Sequence, residues 1–89
     1  MAMVFKYTAR SIQDLKRLDS IIAKRILTIL DRYAILANPL SRAKPLSGSL
    51  SGLYRFRIGD YRVICERGKD GQVHILFVLR IRHRKEIYQ

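Results

Sequence analysis

Along this chain, hydrophobic positions first alternate, then recur every three or four residues, then alternate again, and each regime predicts an element. Val4-Phe5-Lys6-Tyr7 reads as a short strand. From Ala9 the apolar positions Ile12, Leu15 and Leu18 recur every third residue while Arg10, Asp14, Lys16 and Arg17 face outward, which predicts a helix capped by Thr8. Asp19-Ser20 breaks that helix and caps a second one running from residue 21 to about 37, whose buried stripe is Ile22, Ile26, Ile29, Leu30, Tyr33 and Ala37. Asn38-Pro39 ends it. Two helices with so short a link predict an antiparallel hairpin lying across one face of a sheet.

Residues 40–52 are rich in Ser, Gly, Pro and Lys and lack periodicity, which predicts a connecting loop; Ser47, Gly48, Ser49, Ser51 and Gly52 match neither a Walker spacing nor a dinucleotide fingerprint. Strict alternation resumes in Tyr54-Arg55-Phe56-Arg57-Ile58, followed by Gly59-Asp60 and then Tyr61-Arg62-Val63-Ile64-Cys65. This is the pattern of a β-hairpin whose two-residue turn has glycine at its first central position. Counting outward from an Ile58–Tyr61 pair sets Arg57 opposite Arg62, Phe56 opposite Val63, Arg55 opposite Ile64 and Tyr54 opposite Cys65. One face then carries the core stripe. The other carries Arg57 and Arg62 on an exposed ladder position with Cβ atoms about 5 Å apart, an arrangement of like charges that is mildly destabilising unless a polyanion sits there. Gly68-Lys69-Asp70-Gly71 reads as the next turn, and Val73 to Ile81 as a central strand, since both of its parities are apolar in the middle. Arg80 and Arg82 add two guanidiniums at its far end. The expected architecture is α+β: strand, helix, helix, then three strands, in a mainly antiparallel four-stranded sheet with the helical hairpin on one face and the arginines on the other.

Charge sharpens this reading. The 89 residues carry a net +11, with a pI near 10.6, spread over both halves of the chain, so a polyanionic partner is expected and position matters more than total. A chain of this length is one small domain, residues 1–89. No apolar run approaches a membrane span, and the opening residues lack the apolar stretch of a signal peptide, so a cytoplasmic protein is the default. A lone cysteine excludes an internal disulfide framework; with two histidines it leaves too few soft ligands for a structural zinc site, and its parity makes Cys65 an inert core thiol.

The order of elements, the segment Leu50-Ser51-Gly52-Leu53-Tyr54-Arg55-Phe56-Arg57-Ile58-Gly59-Asp60-Tyr61-Arg62-Val63-Ile64 and the ending His83-Arg84-Lys85-Glu86-Ile87-Tyr88 together resemble the RelE branch of the RelE/ParE toxin superfamily. The resemblance implies a toxin of a type II toxin-antitoxin system that cleaves messenger RNA without a metal or other cofactor, typically in the ribosomal decoding site, and is held inactive by a cognate RelB-like antitoxin. It places the basic pair of the hairpin on Arg55 and Arg57, the transition-state arginine on Arg62, and the carboxy-terminal catalytic groups on His83, Arg84 and Tyr88. Arg82 stands where many relatives have glycine, so the guanidinium aimed at the scissile phosphate is either Arg82 or Arg84. Cys65 stands where tyrosine is common. The alternative from the same superfamily is a ParE-like inhibitor of DNA gyrase without nuclease activity, against which the His-Arg-x-x-Ile-Tyr ending speaks.

The chemistry asks little of the protein, because the RNA 2′-hydroxyl is the nucleophile. What remains is to remove that proton, stabilise charge on phosphorus and protonate the 5′ leaving oxygen. Permanently charged, bidentate guanidiniums suit the middle task, which falls to Arg57, Arg62 and Arg84, with Arg55, Arg80, Arg82 and Lys85 holding the RNA backbone. His83 is the candidate acid or base, set against a plain surface histidine. His74 lies about 30 Å away along an extended strand and is functionally silent. Tyr88 either stacks on a base, shares in proton transfer or pins the tail to the sheet.

Overall fold

The computed structural model describes residues 3–70 and 73–87. Strand β1 (Met3–Tyr7) leads into helix α1 (Ala9–Arg17) and helix α2 (Ser20–Ala34), followed by a short strand β2 (Ala43–Pro45), the hairpin β3 (Leu53–Ile58) and β4 (Tyr61–Asp70), strand β5 (Val73–His83) and a single helical turn α3 (Arg84–Ile87). The α+β class and the element order are as expected. The sheet has five strands rather than four, ordered β1-β5-β4-β3-β2, with β1 and β5 parallel and every other pair antiparallel. The additional strand, β2, lies in the segment expected to be loop; three residues are too few to show a period.

The hairpin has the expected register at every position, including Arg57 opposite Arg62. Gly59 takes φ +58°, the left-handed conformation that a turn with glycine first requires, while Asp60 stays in the ordinary half of the map. Phe56, on the core face, is fully buried; Phe5 packs edge-on against it at 5.7 Å and Tyr33 stacks on it at 5.6 Å, so one ring ties β1, β3 and α2 together. Ile26, Leu30, Val63, Leu76, Val78 and Ile81 complete this core, and each such side chain contributes about 1.5–3 kcal/mol by leaving water. Cys65 is buried here as expected, and burial pushes its thiol pKa up to about 12.

Several local expectations are corrected. Helix α2 ends at Ala34 instead of continuing to residue 37: Ile35 is 81% exposed, so no packing holds a further turn, and Ala37 lies beyond the helix on the surface. On α1 the buried stripe is Ser11, Asp14, Leu15 and Leu18, with Ile12 turned outward and Asp14 turned in, because the helix packs on a strand edge that needs hydrogen-bond acceptors. Strand β4 runs on through Asp70, so Gly68 pairs with Ile75 inside the ladder; of the expected turn, Gly71 lies outside the described residues.

The largest departure is in β5. Ile64 pairs with Arg80 but Cys65 pairs with Val78, which leaves Leu79 as the extra residue of a β-bulge. A bulge reverses side-chain parity. Before it, Leu76 and Val78 face the helices; after it, Ile81 does so, while Arg80 and Arg82 turn to the face opposite the helices. Strict alternation would have sent both arginines into the core.

Gly68 lies under the aromatic ring of Phe77. A Cβ there would meet Cε2 of that ring inside van der Waals contact and Cδ2 at 2.9 Å. Gly68→Ala is therefore expected to destabilise the domain by about 1–3 kcal/mol through forced movement of the ring, seen as a lowered melting temperature. An unchanged melt would mean that the ring moves aside freely.

Candidate functional site

Cross-strand pairing places a row of three arginines across three adjacent strands on the helix-free face: Arg57 on β3, Arg62 on β4 and Arg82 on β5. The next row along carries Lys44, Arg55, Ile64 and Arg80. Six cations thus share one side of the sheet. Lys44 was not anticipated, because its strand was not; its signal was the basic residue facing Arg55 once β2 is paired. Among the described residues no group of three His, Cys, Asp or Glu side chains gathers.

Arg62 sits at the centre of the first row, and its surroundings correct the expectation of an exposed ladder position: the residue is only 6% exposed, whereas Arg57 is exposed. Its guanidinium turns toward the hairpin's own turn, where one terminal nitrogen donates to the carbonyl oxygens of Tyr61 at 3.3 Å and Gly59 at 3.5 Å. Nε of Arg62 is buried and has no hydrogen-bond partner among the described residues. A buried charged donor left unsatisfied between two further guanidiniums is costly on its own terms, by about 1–3 kcal/mol for the missing bond.

Arg80 lies on the same side but reaches past the sheet edge. Its Nε donates to Oδ2 of Asp14 at 2.9 Å and a terminal nitrogen to Oδ1 at 3.3 Å, while the backbone N–H of Ile81 donates to the same Oδ2 at 2.9 Å. Burial alone would raise the Asp14 carboxyl pKa, yet the hydrogen bonds from Arg80 and Ile81 and the charges of Arg80 and Arg82 outweigh it and hold the group below its ordinary 3.8. The sequence placed Asp14 on the solvent side of its helix, so this contact was not legible there.

The carboxy-terminal residues divide. His83 pairs with Tyr61, which puts it on the helix side of the sheet; their rings meet edge to face at 5.3 Å, and Nδ1 of His83 accepts the Lys85 N–H at 3.2 Å, so a neutral ring carries its proton on Nε2. Arg84 is exposed and docks on the hairpin turn, its N–H donating to the Asp60 carbonyl at 2.8 Å and its Nε 3.9 Å from the Asp60 carboxylate. Lys85 is exposed beside it. The structure therefore brings together Arg55, Arg57, Arg62, Arg80 and Arg82 and leaves His83, Arg84 and Lys85 at the end of the sheet by the turn. Tyr88 lies outside the described residues. A cleft of about 210 Å³ opens between the end of α1 and the end of β5, lined by Arg17, Leu18 and Tyr61 together with Asp14 and residues 80–83.

Fold and face define a small basic α+β domain presenting an arginine surface on an open sheet. The family model for the ParE toxin of type II toxin-antitoxin systems matches residues 5–88, and the chain belongs to this family within the RelE/ParE superfamily. Among solved structures the chain is similar to the RelBE2 toxin-antitoxin complex of Mycobacterium tuberculosis, at 25% identity and TM-score 0.75 over 94% of this chain and all of that one. It is also similar to the RelB-RelE complex of Methanococcus jannaschii, at 29% identity and TM-score 0.66 over 93% of this chain and 94% of that one. The RelE-RelB complex of Pyrococcus horikoshii aligns at 26% identity and TM-score 0.65, over 94% and 97% of the two chains. Among curated proteins no relative matches. No helix of the described residues is long and apolar enough to cross a membrane.

A lowered carboxyl pKa stabilises the fold at pH values above its unfolded value and loses that contribution as pH falls through the folded one. The Asp14 contribution is thus complete above about pH 4 and fades below. Urea midpoints measured from pH 6 to pH 2 are expected to fall more steeply for the wild type than for Asp14→Asn. Parallel curves would contradict the assignment.

Proposed function

We propose that this toxin is a messenger-RNA endoribonuclease that acts on translated message in the cytoplasm, in the ribosomal decoding site, without a metal. The reading rests on one observation above all: the buried, unsatisfied Nε of Arg62 flanked in register by Arg57 and Arg82. That triad matches a phosphate about to become a phosphorane. The 2′-hydroxyl gives up its proton to a base as its oxygen attacks phosphorus, the 2′,3′-cyclic phosphate forms, the bond to the 5′ oxygen breaks, and the leaving oxygen takes up a proton from an acid. Arg57, Arg62 and Arg82 stabilise the charge gathered on the non-bridging oxygens. Arg55 and Lys44 extend the basic surface along the strands for neighbouring phosphates. His83 and Tyr88 are the acid–base candidates; His83 lies on the face opposite the triad, at the end of the sheet by the hairpin turn, so it serves only a scissile bond that reaches round that end.

Between Arg82 and Arg84 the register favours Arg82, whose position in the ladder is opposite Arg62. Its control partner is proposed to be a RelB-like antitoxin, as in the complexes named above, with an acidic segment that neutralises the arginine face.

A second reading, a ParE-like inhibitor of DNA gyrase, draws on the family model itself, which is named for ParE. Toeprinting of a translated message separates the two. Wild-type toxin is expected to give cuts in register with codons, Arg82→Ala to lose about 10²-fold in cleavage rate, and Arg84→Ala to stay within a few-fold of wild type. Intact message together with blocked gyrase supercoiling would overturn the nuclease reading; the reverse ranking of the two arginine variants would reassign the phosphate contact.

A further inference from the structure

Where β1 ends, at the Tyr7–Val78 pair, β5 loses its neighbour and continues for several residues with a free edge. Helix α1 takes over that edge. The Thr8 N–H and Oγ1 donate to the Val78 carbonyl at 3.1 and 2.9 Å, and Oγ1 also lies 3.2 Å from the Leu79 carbonyl. Less than two turns later Asp14 accepts the Ile81 N–H and hydrogen bonds from two of the Arg80 nitrogens. The helix therefore grips β5 on both sides of the bulged residue Leu79. At 7% exposure Asp14 is withdrawn from water, and it acts here as the acceptor a missing strand would have supplied.

We infer that Asp14 is a positioning residue, which fixes the bulged end of β5 in the register that sets Arg82 beside Arg62 on the open face. The alternative register is one residue away: with Leu79 back in the ladder, Arg80 and Arg82 would share parity with Leu76 and Val78 and Ile81 would face out. Hydrophobic burial of Ile81 opposes that slip, and Asp14 adds a polar lock specific to the arginine-bearing arrangement. The inference deepens the proposed function by assigning control of the Arg82 position to a helix residue outside the row, which lines the same cleft as Arg82.

Charge makes the test decisive. Replacing Asp14 removes a negative charge from a +11 chain, so general electrostatics alone predicts tighter binding of any polyanion. Loss of positioning predicts the opposite. Affinities for a non-cleavable 2′-deoxy oligonucleotide would be measured at fixed salt for wild type, Asp14→Ala, Arg82→Ala and the double variant, with Asp14→Asn in place of Asp14→Ala if the latter does not fold. Asp14→Ala is expected to bind about 10-fold more weakly, the loss of one charge-assisted contact, and the double variant no more weakly than Arg82→Ala. Tighter or unchanged binding, or losses that multiply in the double variant, would overturn the inference. Message cleavage by the wild type is scored alongside: its absence with the affinity pattern intact would count against the nuclease reading and leave the positioning role standing.

Discussion

Strand β5 changes allegiance once, at Leu79. Up to Val78 its alternate side chains feed the core under α2; beyond the bulge Ile81 resumes that role, and Arg80 and Arg82 emerge on the opposite side. Without this one-residue insertion the face would hold Arg55, Arg57 and Arg62 but not the two guanidiniums of β5. The bulge also coincides with the end of β1, so the strand that would otherwise impose regular alternation stops where irregularity begins. Core packing and arginine presentation are thus both consequences of one local break in the ladder.

The arginine face is a place where stability is set aside. Like charges stand opposite one another in register, and Arg62 is withdrawn from water with one donor unmet. A domain this small has a few kcal/mol of net stability to work with, and the core around Phe56 must offset that cost. On the helix side several polar groups are met: Asp19 caps α2 by accepting the Ile21 N–H at 2.8 Å, Thr8 caps α1 and binds the sheet, and Ser11 donates to the Thr8 carbonyl at 2.8 Å, although the buried Tyr7 hydroxyl there has no partner among the described residues.

Much of this was legible in sequence, for a physical reason. The hairpin could be registered residue by residue because strict alternation and a Gly-Asp turn leave a single pairing that buries Phe56 and Val63. The family follows from the same segment. What alternation cannot reveal is its own interruption: nothing in the run of Val, Leu, Ile and Phe from Val73 to Ile81 marks Leu79 as the bulged residue, so the arginines could be expected on the face opposite the helices but not the bulge that turns Arg80 and Arg82 there. Asp14 was misplaced by the same logic, since a helix read by its apolar positions exposes its carboxylate. Arg62 was placed on the correct face but with the wrong depth, because burial of a charged side chain depends on the turn carbonyls that fold over it. The three-residue strand β2 was too short to leave any trace, and Lys44 was overlooked with it.

The central claim is that Arg62 is kept buried and unsatisfied for the sake of a phosphate. Arg62→Met tests it most directly, since methionine fills similar volume without a charge or an orphaned donor. If the claim holds, a thermal melt of the variant rises by several degrees, as replacement of buried charge by an apolar side chain contributes about 1–4 kcal/mol in favourable cases, while message cleavage by the same preparation is lost. A lowered melting temperature would make Arg62 a structural residue held by the turn carbonyls, and retained cleavage would remove it from the chemistry.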